Sequence, residues 1–143
     1  MTTTVKVLRS TERDALRNVA PDVFDDPIDE AGLAAFFDDP HHMLGVAIDD
    51  GVVVGMVSAV EYFHPDKNAP ELWINEVGVS PSHHRRGLAR MMLNIVLDEA
   101  RGRGCTEAWV MTDRANEAAM GLYASVQEAS DPSDHVMFSF ALR

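Results

Sequence analysis

Val79-Ser80-Pro81-Ser82-His83-His84-Arg85-Arg86-Gly87-Leu88-Ala89 joins a strand-like stretch to a helix-like one, and its reading decides the fold. Upstream, Glu71 to Val79 is rich in β-branched and aromatic residues and predicts a strand, broken by Ser80-Pro81-Ser82. Downstream, Gly87 to Ala100 predicts a helix, with Leu88, Met91, Met92, Ile95 and Val96 forming one apolar stripe. Leu93 and Leu97 widen that stripe toward full burial, and Gly102 and Gly104 end the helix. The junction places two arginines and a glycine where the helix begins. Free N–H groups and the positive end of the dipole attract anions there, so a phosphate-bearing ligand is the natural reading.

The junction stands out because the chain is acidic. Its 143 residues carry 12 Lys and Arg against 23 Asp and Glu, a formal charge of −11. Residues 1–50 hold four basic and eleven acidic side chains, whereas Ser80 to Cys105 holds five arginines and two acids. Such a chain is a poor binder of nucleic acid or anionic membrane and attracts cations instead. With 46% apolar and 24% charged residues, the length suits a single globular domain over residues 1–143.

A lone cysteine, Cys105, excludes an intrachain disulfide framework and a multi-cysteine zinc site. His41-His42 and His83-His84 lack a third ligand at metal spacing, so they are read as solvated and no metal is expected. The N-terminus has no apolar signal core and no stretch approaches the roughly 20 apolar residues of a membrane span. A cytoplasmic protein is expected.

Working outward, Val5 to Leu8 predicts a short strand and Glu12 to Val19 a helix, stopped by Pro21. Asp29 to Phe37 predicts a second helix, with Ile28, Leu33, Phe36 and Phe37 on its apolar side. Strands at Met43 to Ile48 and Val52 to Tyr62 flank the turn Asp49-Asp50-Gly51. A strand at Glu107 to Met111, a helix at Asn116 to Val126 and a closing strand at Val136 to Leu142 complete the chain. The order β-α-α-β-β-β-α-β-α-β describes an α/β fold, a mixed sheet with helices packed on it.

His84-Arg85-Arg86-Gly87-Leu88-Ala89 resembles the acyl-CoA signature of the GNAT N-acyltransferase superfamily, Gln/Arg-x-x-Gly-x-Gly/Ala, with His84 at the usual Gln/Arg position. Asn116-Glu-Ala-Ala-Met-Gly-Leu-Tyr123 resembles the family's Asn…Leu-Tyr helix, although Val126-Gln127-Glu128 replaces the usual Leu-Gly-Phe. More narrowly, Pro70 to Ser80 and Asp134 to Phe140 resemble the aminoglycoside 3-N-acetyltransferases of this superfamily. The resemblance implies a GNAT fold and an acetyl-CoA-dependent N-acetyltransferase of a cationic small-molecule amine, with a homodimer as a common arrangement.

Strand alternation puts Leu72, Ile74 and Glu76 on one face, where apolar neighbours would raise the Glu76 pKa and suit it as general base. The plainer alternative is a structural carboxylate at a strand end. By resemblance, the N–H of Val77 or of its neighbour Gly78 polarises the thioester carbonyl and Val79 pairs with the pantetheine arm. Arg85, Arg86, Gly87, Leu88 and Ala89, with His84 and Arg90 beside them, hold the pyrophosphate. Tyr123 is the family's proton donor to the departing thiolate and Asn116 a cofactor contact. Leu122 and Tyr123 also fit simple helix packing.

Cys105 is read as structural. Acceptor binding is expected along acid-rich loops: Asp22, Asp25, Asp26, Asp29 and Glu30 first, Asp66 and Glu71 second, Asp131 and Asp134 third. Tyr62, Phe63 and Trp73 are expected to line the acceptor cleft, although core packing explains Phe63 and Trp73 at least as well. An acidic rim of this kind suits a polycation such as an aminoglycoside. The competing readings are an acetyltransferase of polyamines, other small amines or protein N-termini, and an acyl-CoA sensor without turnover.

Overall fold

The structure, a computed structural model, describes residues 3–143. One five-stranded sheet runs in the order β1 (Thr3–Leu8), β2 (His42–Asp49), β3 (Val52–Tyr62), β4 (Glu71–Val79) and β5 (Ala108–Val110). The first four strands are antiparallel and β5 adds in parallel to β4. β2 and β3 are buried almost continuously rather than on alternate residues, because both faces of the sheet are covered.

One face packs under α2 (Leu88–Gly102), where Leu88, Met92, Leu93 and Val96 meet Met43, Ala47, Val57, Leu72 and Ile74. The other face packs under a 3-10 helix (Ser10–Arg17) and α1 (Glu30–Asp38), where Leu16, Val23, Leu33 and Phe36 meet Leu44, Val46, Val53 and Met56. α3 (Glu117–Ala124) leans on the α2 side through Leu122 and Tyr123. Asp29 caps α1, its carboxylate accepting from the Gly32 N–H at 2.8 Å.

Three expectations change. The first helix is 3-10 rather than α: Asn18 and Ala20 are drawn into backbone bonds with Val53, and the eight residues before them wind as the tighter form. Met91 turns to solvent, so the buried stripe of α2 runs through Leu88, Met92, Leu93, Val96 and Ala100. The closing strand at Val136 to Leu142 does not form, because residues 129–143 have no strand beside them.

Candidate active site

β4 carries the centre of the site. Its ladder with β3 slips at Asn75: Ile74 pairs with Ala59, whereas Glu76 pairs with Ser58. Ser58 and Ala59 are consecutive and point to opposite faces, so the bulge turns Glu76 away from the face of Ile74. The expected grouping of Leu72, Ile74 and Glu76 is thereby overturned. Leu72 and Ile74 lie under α2, while Glu76 is exposed on the opposite face and is not surrounded by apolar side chains.

Gly78 shares that face with Glu76. A Cβ there would stand 2.1 Å from the carbonyl oxygen of Val23, so the chain at Val23 crosses β4 directly over it. The crossing brings the exposed Asp22, Asp25 and Asp26 to the side on which Glu76 stands. Val23 itself is buried and pins the segment.

β5 parts from β4 at the same point, their pairing ending at Ile74 and Val110. The Ser80 N–H donates to the Val54 carbonyl at 2.8 Å, across toward β3. Alternation then turns the N–H and C=O groups of Val77 and Val79 the other way, into the gap that β5 leaves. His84 Nε2 donates to the Val79 carbonyl at 2.9 Å.

The loop after β4 is held from a distance. Asp49, buried at the end of β2, accepts from His83 Nε2 through Oδ2 at 2.7 Å. His83 Nδ1 lies 2.8 Å from the Ser82 hydroxyl, which lies 3.0 Å from that of Ser80. Sequence reading treated Asp49 as a turn residue and His83 as solvated. Their partnership spans 34 positions and no local pattern announces it.

Arg85 follows with φ +63°, and Gly87 caps α2 with φ +74°, a conformation that favours glycine. No side chain caps this helix, so the N–H groups of Leu88, Ala89 and Arg90 are free to bind a ligand. Leu88 is buried and offers only its backbone. Arg85, Arg86 and Arg90 are exposed and unpaired among the described residues, whereas Arg9, Arg17, Arg101 and Arg103 each meet a carboxylate. Three of the seven Lys and Arg side chains that have no carboxylate partner among the described residues thus stand beside the open end of α2.

Asn116 caps α3, its Oδ1 accepting from the Ala119 N–H at 3.1 Å, so that oxygen is committed to the helix. Tyr123 is half-buried on the α2 side of the sheet, and burial pushes its hydroxyl pKa above the ordinary value. Its hydroxyl makes no hydrogen bond within the described residues. Glu76 and Tyr123 therefore occupy opposite faces of the sheet, with the β4–β5 gap beside β4.

Tyr62 and Trp73 lie on the Glu76 face, toward the start of β4. The Tyr62 hydroxyl donates to Glu71 Oε1 at 3.0 Å and accepts from Trp109 Nε1, while Trp109 stacks on Trp73 at 5.6 Å. Trp109 was missed because its strand reads as core. Tyr62 pairs with Glu71, about 16 Å along β4 from Glu76 at ordinary strand rise. Asp66 and Phe63 are exposed in the loop beyond Tyr62, and Asp131 and Asp134 are exposed near the C-terminus. Among the acidic loops, the first is the one that the crossing over Gly78 carries to the side of Glu76. Cys105 is a free thiol whose pKa burial raises, consistent with an unreactive structural role. No metal-binding group of His, Cys, Asp and Glu occurs among the described residues, nor any helix long and apolar enough to cross a membrane.

The mixed five-stranded sheet, opened beside an uncapped helix, is the GNAT fold that the motif implied. Residues 8–127 match the acetyltransferase (GNAT) family model, and the chain belongs to that family. It is 29% identical over 115 residues to rat N-acetyltransferase family 8 member 2, covering 80% of this chain and 50% of that one. It is 34% identical over 105 residues to the N-alpha-acetyltransferase RimI of Mycobacterium tuberculosis, covering 73% and 63%. The chain thus spans about half to two thirds of the length of these relatives.

Among solved structures, it matches an aminoglycoside acetyltransferase from an uncultured soil metagenomic sample, in complex with sisomicin, with a TM-score of 0.84 and 16% identity, covering 99% and 97% of the two chains. It also matches the aminoglycoside N-acetyltransferase AAC(6')-Iy, in complex with a CoA-linked bisubstrate analogue, with a TM-score of 0.78 and 20% identity, covering 99% of each.

Proposed function

We propose that the chain is an acetyl-CoA-dependent N-acetyltransferase of a polycationic small molecule, with an aminoglycoside as the leading acceptor. The observation that carries this reading is the bulge at Asn75, which directs Glu76 toward the acidic Asp22–Asp26 segment at the point where β5 parts from β4. Acetyl-CoA, when bound, supplies the thioester. On the cofactor side, Arg85, Arg86 and Arg90 would neutralise the pyrophosphate, and the N–H groups of Leu88 and Ala89 would bind its oxygens. His84 and Asn116 keep a lesser role, since each already bonds the chain's own backbone. The Val79 groups would meet the pantetheine arm in the gap.

The Val77 N–H, facing the same gap, would donate to the thioester carbonyl oxygen and stabilise charge there. The Glu76 carboxylate would take a proton from the acceptor ammonium, directly or through water. Tyr123, kept protonated by burial, would return a proton to the departing thiolate. Asp26 and its neighbours would draw the cation in, with Tyr62 and the stacked Trp73 and Trp109 as a wall further along. Asp66 and Asp134, both exposed, would add to the negative field that draws the cation.

Similarity to an N-alpha-acetyltransferase favours a second reading, a protein N-terminus as acceptor. Thiol release from acetyl-CoA, measured over a panel of aminoglycosides, polyamines and peptides, decides between them. Turnover of an aminoglycoside with a KM that rises with ionic strength supports the lead, and turnover of peptides alone overturns it. Absence of thiol release with every amine, alongside CoA binding, would leave the chain a sensor. The resemblance implies the 3-N amine as the site of transfer, and a structural neighbour is named for the 6' position. NMR of the product reads which amine carries the acetyl group. Glu76→Gln should lower kcat by roughly 10²–10⁴ with CoA affinity unchanged.

A further inference from the structure

Tyr62, Trp73 and Trp109 are half-buried, yet none of them is among the side chains packed against either core cluster. They form a patch of their own on the face that carries Glu76. Trp73 stacks on Trp109 with ring centroids 5.6 Å apart and planes 16° from parallel. Trp109 Nε1 donates to the Tyr62 hydroxyl, and the Tyr62 ring meets His64 edge-on at 5.3 Å. Large aromatic surface that serves no core is commonly surface kept for a ligand.

One carboxylate stands within this patch. Glu71 pairs with Tyr62 across the ladder, and its Oε1 accepts from the Tyr62 hydroxyl at 3.0 Å. His64 Nε2 lies 3.3 Å from the same oxygen. The other oxygen, Oε2, has no hydrogen-bond partner among the described residues and is not sealed from solvent. His64, and then the Tyr62 hydroxyl, hold this carboxyl below the usual range against the opposing cost of burial. The charge of Lys67 acts in the same direction, without forming an ion pair among the described residues. An oriented, ionised carboxylate with one free oxygen beside three aromatic rings is a receptor for an ammonium or guanidinium group. The π-systems attract the cation, and the oxygen accepts its N–H.

We propose that Glu71, with Tyr62, Trp73 and Trp109, forms a subsite for a second cationic group of the acceptor, remote from the amine that Glu76 serves. Four steps of β3 from Ser58 to Tyr62, or five of the bulged β4, separate the two carboxylates by roughly 13–16 Å. The acceptor is therefore an extended polycation whose charges lie about that far apart. A short amine placed at Glu76 cannot reach the subsite and gains nothing from it. This role rests on the reading of the chain as an acetyltransferase of cations, and it adds what the acceptor must carry.

Trp73 and Trp109 are the two tryptophans of the chain. Intrinsic fluorescence therefore reports on this patch, and not on the diffuse binding of polycations that a charge of −11 invites. The full chain is titrated with spermine, a long tetramine, at fixed ionic strength. Spermine should change the emission saturably, and E71Q should weaken that binding at least roughly tenfold. The glutamine keeps an acceptor oxygen for Tyr62, so far-UV circular dichroism should match the parent. Trehalose, a neutral sugar, should leave the parent's emission unmoved, a check that needs no variant. In thiol-release kinetics, the parent should favour spermine over putrescine, a short diamine. E71Q should reduce that preference about tenfold through KM rather than kcat. Emission unmoved by spermine, equal binding by E71Q, or an equal response to trehalose overturns the subsite. A spermine preference that E71Q retains overturns its role toward the acceptor. If no amine releases thiol, the acetyltransferase reading falls, whereas the emission still decides whether the subsite binds cations.

Discussion

Gly78→Ala probes how the acidic segment is seated on β4. The new Cβ would stand 2.1 Å from the Val23 carbonyl oxygen and 3.2 Å from its carbon. Carbon and oxygen rest comfortably at about 3.5 Å, so the Val23 backbone must retreat by roughly 1.4 Å or β4 must bend. Val23 is only 2% exposed, and its retreat opens the cluster of Leu16, Val46, Val53 and Met56. Overpacking of this kind costs about 1–3 kcal/mol, which at roughly 3–4 °C per kcal/mol lowers Tm by about 3–12 °C. A shift near 1 Å in the wall of the acceptor cleft should also reduce acceptor kcat/KM by on the order of 10². CoA affinity should hold, since the Gly78 backbone faces β3 and not the gap. Thermal denaturation, acceptor kinetics and CoA titration check the three parts. Because the clash is with a main-chain oxygen, adding V23A should not rescue G78A. Unchanged Tm and kinetics in G78A, or rescue by V23A, would refute the reasoning.

Asp49→Ala removes the acceptor that holds His83, a charge-assisted bond of about 1.5–3 kcal/mol. CoA affinity measured by calorimetry should fall about tenfold or more while acceptor KM is preserved, and equal loss of both would contradict a loop-anchoring role. Tyr123→Phe should lower kcat by at least about tenfold; because burial raises the Tyr123 pKa, this group should not titrate below about pH 10, and full turnover in the variant excludes it as the acid. Glu99 is held below the usual carboxylate range by hydrogen bonds from Arg9, then by the nearby guanidinium charges of Arg9 and Arg103, against the opposing cost of burial. A carboxyl depressed on folding stabilises the native state above its unfolded value near 4.3 and loses that contribution as pH falls through the depressed one. E99Q should therefore cost about 0.2–1 kcal/mol at pH 7, given the exposure of Arg9, and the Tm gap to the parent should be smaller at about pH 3 than at pH 7. A gap of equal size at both pH values would argue against the ion pair.

β3 and β4 were legible to the residue, Val52–Tyr62 and Glu71–Val79, because β-branched runs between turn residues leave little choice. α2 was legible for the same kind of reason, yet its buried stripe drifted by a residue: Met91 lies on the flank of the apolar arc, and only the sheet decides which flank is covered. What depends on distant pairing was not legible. Asn75 looks like any strand residue until its register against Ser58 and Ala59 is known. Asp49 looks like a turn carboxylate until His83 is placed beside it. Val136–Leu142 has strand periodicity, but periodicity states only that a segment can pair, and no strand pairs with it among the described residues.

The bulge at Asn75 performs two tasks that would otherwise need separate devices. It ends the regular run of β4 where β5 departs, and it reverses the facing of Glu76. Without the extra residue, Glu76 would follow Ile74 into the cluster beneath α2, against Val57 and Leu88. An ionised carboxylate there is costly, several kcal/mol at least, and would protonate instead. The sheet therefore acts as a partition between two charge regimes, with unpaired arginines by the α2 terminus and clustered aspartates over Gly78 on the opposite face. One strand irregularity opens the partition and sets a carboxylate at the opening, so the uneven charge of the sequence becomes two differently charged approaches to one gap.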